Sequence, residues 1–393
     1  MSWQVLSHPD IQAFIREHET ADVKTLALKP WPDDHWPKAI ILDQIKARQK
    51  AAVKMPQWHQ DPHIIFPPAD IVEQASSTAT ALYKGSLFSG ASCADLTAGC
   101  GMDSWAFGQS FKTLHCVERD SNSAQMLEHN FKTLRPHAKI HNASAEEFIK
   151  TMPHVDLIYI DPQRRNDQRR GIFKLDDCSP NILDLLPALK TRTNDILIKT
   201  SPMIDIDSTC KILENVQNVY ITEHEGQCKE ALFHINTQTT ITDTQIHAVR
   251  LNHDGTVYNS LSFHKKHTNA LNFSYKNPQK YLYEPSAAYQ KSGAMQAISD
   301  KFPVAKIAPD THLFTSETHI ENFPGRTFEV TGMHPPHKKS LPFKKANLTV
   351  RNFPSSVEDL RKKLKLSEGG DDYLFACTLE NNDKIIISTR KIL

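Results

Sequence analysis

The run Ala94-Asp95-Leu96-Thr97-Ala98-Gly99-Cys100-Gly101-Met102-Asp103 constrains this chain more than any other segment. It reads as a short buried strand that breaks at a glycine turn and continues as a helix. The next strand-like run, Leu114-His115-Cys116-Val117, closes on the acid Glu118. A strand, a Gly-x-Gly turn and a second strand ending in an acid is how an α/β protein holds a nucleoside. The glycines let the backbone come close to the ligand, and the acid takes the ribose hydroxyls. The dinucleotide fingerprint does not fit. Its third glycine would fall on Ser104, and Asp95 would repel a pyrophosphate. A carboxylate at that place suits a ligand with a cationic amino-acid end.

Composition narrows the field. A chain of 393 residues has room for two or three domains. Lysine and arginine total 46 against 45 acids, so no global basic field points to nucleic acid, and any such surface must be local. No apolar run approaches the ~20 residues that span a bilayer. The start, Met1-Ser2-Trp3-Gln4-Val5, lacks the charged region and apolar core of a signal peptide. The seven cysteines form no C-x-x-C pair and read as reduced thiols in a cytoplasmic protein, with neither a zinc site nor a disulfide framework. The 20 histidines include no helical H-x-x-x-H pair with a partnering acid, so no metal is expected.

Three regimes follow along the chain. Residues 1–88 look helical, with helices expected at 11–18, 40–53 and 70–85, the last capped by Asp70 and ended by Gly85. From about 89 to 245, strands and helices alternate. Strands are expected at 92–96, 113–118, 139–142, 155–160 and 195–199, helices at 121–134 and 179–189, and a closing antiparallel pair at 216–223 and 231–236. This is an α/β, Rossmann-like, doubly wound sheet of about seven strands. After 245, a hairpin is expected around Asn252-His253-Asp254-Gly255, then a helix at 287–300. A small α+β unit closes the chain, with strands at 328–330, 345–350, 373–379 and 384–388 and a helix at 356–364.

Four constellations carry chemistry. Asp95, Gly99, Gly101 and Glu118 stand at the carboxyl edge of the sheet, where ligands bind in open α/β folds. At the end of the next strand comes Asn142-Ala143-Ser144-Ala145-Glu146-Glu147. Ser144 would meet the base weakly or through its backbone, and Glu146 and Glu147 read as the solvated first turn of a helix. Ile160-Asp161-Pro162-Gln163-Arg164-Arg165 closes the fourth strand. Asp161 can accept a hydrogen bond from an amine, but an arginine stands where an aromatic ring would stack on a base; Phe173 is a substitute ring or plain core. Arg164, Arg165, Arg169 and Arg170 crowd one loop, where guanidinium groups can bind phosphate or form ion pairs with Asp167, Asp176 and Asp177. Ile198-Lys199-Thr200 closes the fifth strand, with Lys199 either orienting substrate or snorkelling. No cysteine stands there for a covalent thioether route, Cys228 being a packed thiol.

Several phrases together resemble a bacterial family of class I S-adenosylmethionine (SAM)-dependent methyltransferases with a THUMP-like C-terminal domain. They are Glu73-Gln74-Ala75-Ser76-Ser77 with Tyr83-Lys84, Asp95 to Asp103, Asp161 to Arg165, Lys199 to Asp205, Cys228-Lys229-Glu230, Tyr283-Glu284-Pro285 and Phe323-Pro324-Gly325-Arg326. The resemblance implies SAM as cofactor, held by Asp95, Thr97, Ala98, Gly99, Gly101, Asp103, Glu118, Ser144 and Asp161. Asp161, Arg164, Arg165 and Lys199 would serve catalysis. It also implies a helical region at 1–88, a methyltransferase domain at 89–245, a hairpin and ferredoxin-like domain at 246–325 and a THUMP-like domain at 326–393. THUMP domains are RNA-binding modules, which makes RNA the expected partner and methylation of rRNA or tRNA by direct displacement the expected reaction. Lys338, Lys339, Lys344, Lys345, Arg351, Arg361, Lys362 and Lys363 suit a phosphate-facing surface. Two rivals stand beside this reading: a protein or small-molecule methyltransferase, and a non-catalytic RNA-binding protein with a relic Rossmann domain.

Overall fold

The computed structural model describes residues 3–135, 137–164, 175–266 and 273–392, and of Arg164 the backbone alone. Arg165, Arg169, Arg170 and Phe173 therefore lie outside the described residues. The chain divides into two compact units. The first holds Met1–His224, Lys229–Thr242 and Leu251–Tyr258; the second holds Glu225–Cys228, Asp243–Arg250 and Asn259–Leu393. Among the described residues, no helix is long and apolar enough to cross a membrane.

Seven strands of the first unit are β1 (Gly90–Asp95), β2 (Phe111–Glu118), β3 (Ala138–Asn142), β4 (Val155–Ile160), β5 (Thr193–Thr200), β6 (Val216–His224) and β7 (Gln227–Asn236). They stand in the order β6-β7-β5-β4-β1-β2-β3. β1 to β5 run parallel, and β7 pairs antiparallel to β5. Both faces of the central strands are covered, so β4 reads Leu157-Ile158-Tyr159-Ile160 with every one of these side chains buried. The order reverses between β1 and β4, which opens a crevice outside their carboxyl ends. In register, Asp95 pairs with Cys116 on one side and Tyr159 on the other, and Ile160 pairs with Ile198. Asp161 and Lys199, one residue further along, therefore meet at the same edge.

The glycine turn is built as the sequence suggests. Gly99 and Gly101 both have positive φ, 53° and 91°. Gly101 starts the helix Met102–Phe107, and a β-carbon there would lie 2.3 Å from Leu127 Cδ1 and 2.7 Å from Phe131 Cε2. Its missing side chain lets that turn pack against the helix Ser121–Leu134. Gly99 is different: a β-carbon there would meet only Thr97 O, at 3.9 Å.

The N-terminal helices share this unit's core. Trp58, fully buried, meets Trp105 and Phe131 edge-on at 6.2 and 6.3 Å. The single helix expected at 70–85 is two, Ala69–Gln74 and Thr78–Ser86. Ala75 leaves the helix at ψ 158°, and Ser77 caps the second helix by accepting from Thr80 N. Asp70 caps nothing but sits in the first turn, after Pro68, and Gly85 lies inside the second helix.

Strands β8 (Gln245–Leu251) and β9 (Val257–His264) flank the predicted turn at Gly255, φ 82°. The helix expected at 287–300 is again two, Ala287–Lys291 and Met295–Lys301, with Gly293 at φ 74° between them. Strands β10 (Tyr281–Pro285), β11 (Ala305–Ala308), β12 (Thr311–Ser316), β13 (Gly325–His334), β14 (Asn347–Arg351), β15 (Asp372–Thr378) and β16 (Lys384–Lys391) form one sheet ordered β11-β12-β10-β13-β16-β15-β14. The helix Val357–Leu364, capped by Ser356, covers it with Leu360 and Leu364.

Gly101→Ala should lower stability by about 2–4 kcal/mol, the sum of overpacking and positive-φ strain. Gly99→Ala should cost only about 1–2 kcal/mol, from φ alone. Urea unfolding of the two variants checks the difference; equal losses would refute the assignment of Gly101 to packing.

Candidate functional site

Two adjoining cavities open at the carboxyl edge of the first unit's sheet. The smaller, about 180 Å³, is lined by Thr97, Gly99, Glu118, Ser144, Glu146 and Asp161, among others. The larger, about 770 Å³, shares Gly99, Glu118, Arg119 and Gln163 and extends past Gln44, Phe66, Pro68 and Gln74 of the helical region. Lining by Gln44 and Gln74 brings the N-terminal helices to the site.

Glu118 is fixed by the turn it faces. Its Oε2 accepts from Gly99 N at 3.0 Å and its Oε1 from Asp120 N at 2.8 Å. An ionised carboxylate has about four acceptor sites, so both oxygens keep capacity for a ligand hydroxyl. Asp161 is anchored twice. Its backbone N–H donates to Thr97 Oγ1 at 2.7 Å, and its Oδ2 accepts from Lys199 Nζ at 2.5 Å. Its side chain is 34% exposed, and Oδ1 makes no hydrogen bond with any described residue. Ser144 caps the helix Ala145–Thr151 in a reciprocal box with Glu147, which occupies its hydroxyl and backbone N–H. Glu147 is thus a capping residue, and Glu146 is the acid that lines the cavity.

Asp95 and Asp103, both expected on the cofactor, line neither cavity. Asp95 is 1% exposed; its Oδ1 accepts from Thr97 N at 2.9 Å and its Oδ2 from Ser104 Oγ at 2.6 Å. It shapes the turn from beneath. Burial pushes its carboxyl up to about 7, against the hydrogen bonds from Ser104 and Thr97. Ala98 is buried and donates its N–H to Val117 O. The backbone of Arg164 pairs with Cys178 in a two-residue ladder.

Asp103 belongs to a buried charge network that includes residues without an expected role. Lys84, fully buried, donates to Glu230 Oε2 at 2.6 Å and to Ser76 Oγ at 3.1 Å, and pairs with Asp103 Oδ1 at 3.2 Å. Asp103 Oδ2 accepts from Ser76 Oγ and Tyr159 OH at 2.9 and 2.7 Å. Lys199 closes the chain, donating to Ser76 Oγ at 3.2 Å and to Asp161, with Asp103 Oδ2 at 3.8 Å. A hydrogen-bonded path thus runs from Glu230 through Lys84, Ser76 and Lys199 to the cavity-facing Asp161. Burial works against the Lys199 ammonium, but Asp161, Asp103 and Glu230 hold its pKa well above the usual lysine value. Burial also opposes the Asp103 carboxylate, yet Lys84 and Lys199 keep it below its ordinary range. At Glu230 burial wins and raises the pKa despite both lysines. Lys54, at the end of the helix Lys38–Lys54, is lowered to about 8 by burial first and then by Lys199.

Lys84→Met should destabilise the protein by about 3–5 kcal/mol, because Glu230 and Asp103 lose their buried partner. Glu230→Gln should cost far less, as the Gln carbonyl can still accept from Lys84 Nζ; equal losses in denaturant titrations would contradict this. A second test uses pH. Asp95 binds a proton in the folded state up to about 7 but in the unfolded state only to about 3.8. Between those values it makes stability fall as pH rises, by up to about 1.4 kcal/mol per unit. Asp95→Asn should remove that share of the slope, and an unchanged stability–pH curve would sink the assignment.

Comparison with known proteins agrees with this architecture. Residues 281–324 match a ferredoxin-like domain model and residues 325–391 a THUMP domain-like model. No curated protein sequence matches the chain. A solved structure from Porphyromonas gingivalis W83, a "putative methyltransferase" by name, superposes with a TM-score of 0.87 at 27% identity, covering 99% of this chain and 98% of that one. The M. capricolum protein TrmK, solved with S-adenosyl-homocysteine, aligns over 41% of this chain and 68% of its own at 13% identity. Its TM-score of 0.32 is too low to bear on this chain's activity. Strand order, the antiparallel seventh strand and the two domain matches together make this chain a class I methyltransferase-fold protein that carries a ferredoxin-like and a THUMP-like domain.

Proposed function

We propose that this protein is a SAM-dependent methyltransferase that acts on RNA. The observation that carries the reading is the smaller cavity, where the Gly99 turn and the anchored Glu118 stand on one side and Asp161 on the other. The lining fits such a cofactor. Glu118 offers acceptors for ribose hydroxyls, and Gly99 leaves open the space a side chain would fill. Carboxylates Glu118 and Glu146 suit a cationic sulfonium and ammonium and would repel a pyrophosphate. With Ser144 committed to its helix cap, base recognition falls to Glu146 and to backbone groups.

SAM supplies an electrophilic methyl on a sulfonium, which passes to a nucleophile by in-line displacement. The chain's own part is positioning and electrostatics. Asp161, held by the Thr97 hydroxyl and the Lys199 ammonium, orients the acceptor through its open Oδ1 and can take its proton. Lys199 is a positioning residue, fixing the rotamer of Asp161 from behind. The THUMP domain-like match and the lysines and arginines of that segment support RNA as substrate. Arg164 and Arg165, three and four residues after Asp161 in sequence, would hold a phosphate or a base edge.

Labelled methyl transfer from SAM into an extract that lacks this protein, split by RNase and protease, tests the reading. Label lost to RNase supports it. Label lost only to protease would make the acceptor a protein, and no label with retained RNA affinity would favour a relic domain. Asp161→Ala should reduce transfer by about 10²–10⁴-fold with SAM affinity nearly intact. Glu118→Ala should instead weaken SAM binding, by roughly tenfold or more; calorimetry separates the two.

A further inference from the structure

The second unit holds a buried acid with two arginines on it. Glu284, on β10, is 3% exposed. Its Oε2 accepts from Arg326 Nε at 2.7 Å and pairs with Arg326 Nη2, while its Oε1 accepts from Arg351 Nη2 at 2.6 Å. The two arginines reach it by different routes. Arg326 lies opposite Glu284 in the β10–β13 register. Gly325, just before it, lets the backbones close: a β-carbon there would sit 2.0 Å from Glu284 O. Arg351 ends β14, the far edge strand, so the sheet must curl to bring it back.

One carboxylate needs one cation. The second guanidinium leaves excess positive charge, and neither arginine is sealed away: their side chains are 42% and 31% exposed. His312 is held below the ordinary imidazole range by burial, then by Lys306 and Arg351, against the opposing pull of Asp310. Among the described residues, three of the five Arg326 N–H donors have no acceptor once Glu284 is served, and its guanidinium lies 5.4 Å from the centre of the Phe328 ring. Arg351 also donates Nη1 to Val350 O, which fixes its plane. Two planar forks, oriented by one buried acid and partly open, match the geometry of a phosphate group.

We infer that Arg326 and Arg351, oriented by Glu284, form a phosphate-binding site for the backbone of an RNA strand. The choice of RNA rests on the function proposed above; the phosphate chemistry rests on the arginines. Glu284 is a positioning residue, and the arginines make the contact. Each lost phosphate contact should reduce the slope of log affinity against log salt by about 1.

The test is fluorescence anisotropy of the full-length protein with a labelled RNA hairpin, without SAM. Arg326→Lys and Arg351→Lys keep the charge and lose the fork, and each should weaken binding by about tenfold. Glu284→Gln removes one negative charge, so a diffuse electrostatic surface would bind tighter. A positioned site should bind about tenfold more weakly, with Lys338→Gln as a control that loses less. Thermal melts of each variant confirm that the sheet is retained. Unchanged affinity in both lysine variants, or tighter binding by Glu284→Gln, overturns the site. Pyrophosphate binding that depends on both arginines, with no RNA binding, would overturn the RNA assignment. Because SAM is absent, RNA binding with these dependences stands even if no methyl transfer is found.

Discussion

The ion pair between Lys199 and Asp161 is the contact on which the site depends. It joins the ends of two neighbouring parallel strands, and its cation is held by a network reaching into three further segments. Ser76 and Lys84 come from the helical region, Asp103 from the helix after the glycine turn, and Glu230 from the antiparallel strand. Charges so deeply buried are stable only with well-placed partners. The same requirement makes the network specific: one displaced element would leave a carboxylate or an ammonium unpaired. The cavity-facing carboxylate is thereby tied to the packing of the whole first unit.

The glycine turn divides its work between packing and access. Gly101 is bare because Leu127 and Phe131 occupy the space of a side chain. Gly99 is bare where the cavities open, and its N–H is spent on Glu118. Asp95, the acid that marks the motif in the sequence, supports this arrangement from below through Thr97 and Ser104. A motif acid can thus fix the loop that lines a cavity without lining it itself.

The second unit uses a related device at a different place. Glu284 is buried, and the strands that deliver Arg326 and Arg351 belong to the segment matched by the THUMP-like model, whereas Glu284 belongs to the ferredoxin-like one. Those two segments are hydrogen-bonded into one sheet through β10 and β13. A carboxylate at their junction welds them and at the same time orders two guanidinium groups.

The sequence by itself determined the strands and most helices of the α/β unit, because buried parallel strands are apolar runs and the Gly99–Gly101 turn marks the first break. The helix Ser121–Leu134 and the strand Val155–Ile160 stand where periodicity put them. The breaks at 75–77 and near Gly293 escaped, since apolar spacing continues across both. It also marked Gly99, Glu118, Ser144 and Asp161, which share one cavity because parallel strands align their carboxyl ends. Only the tertiary structure decided which acids face that cavity. Asp95 and Asp103 lie in the same motif as Gly99, yet both turn inward, one to hydrogen-bond its own loop and one to meet Lys84. Partners 146 residues apart, such as Lys84 and Glu230, leave no local pattern; burial selects them, because a charge taken from water must find its counter-charge wherever the fold brings one.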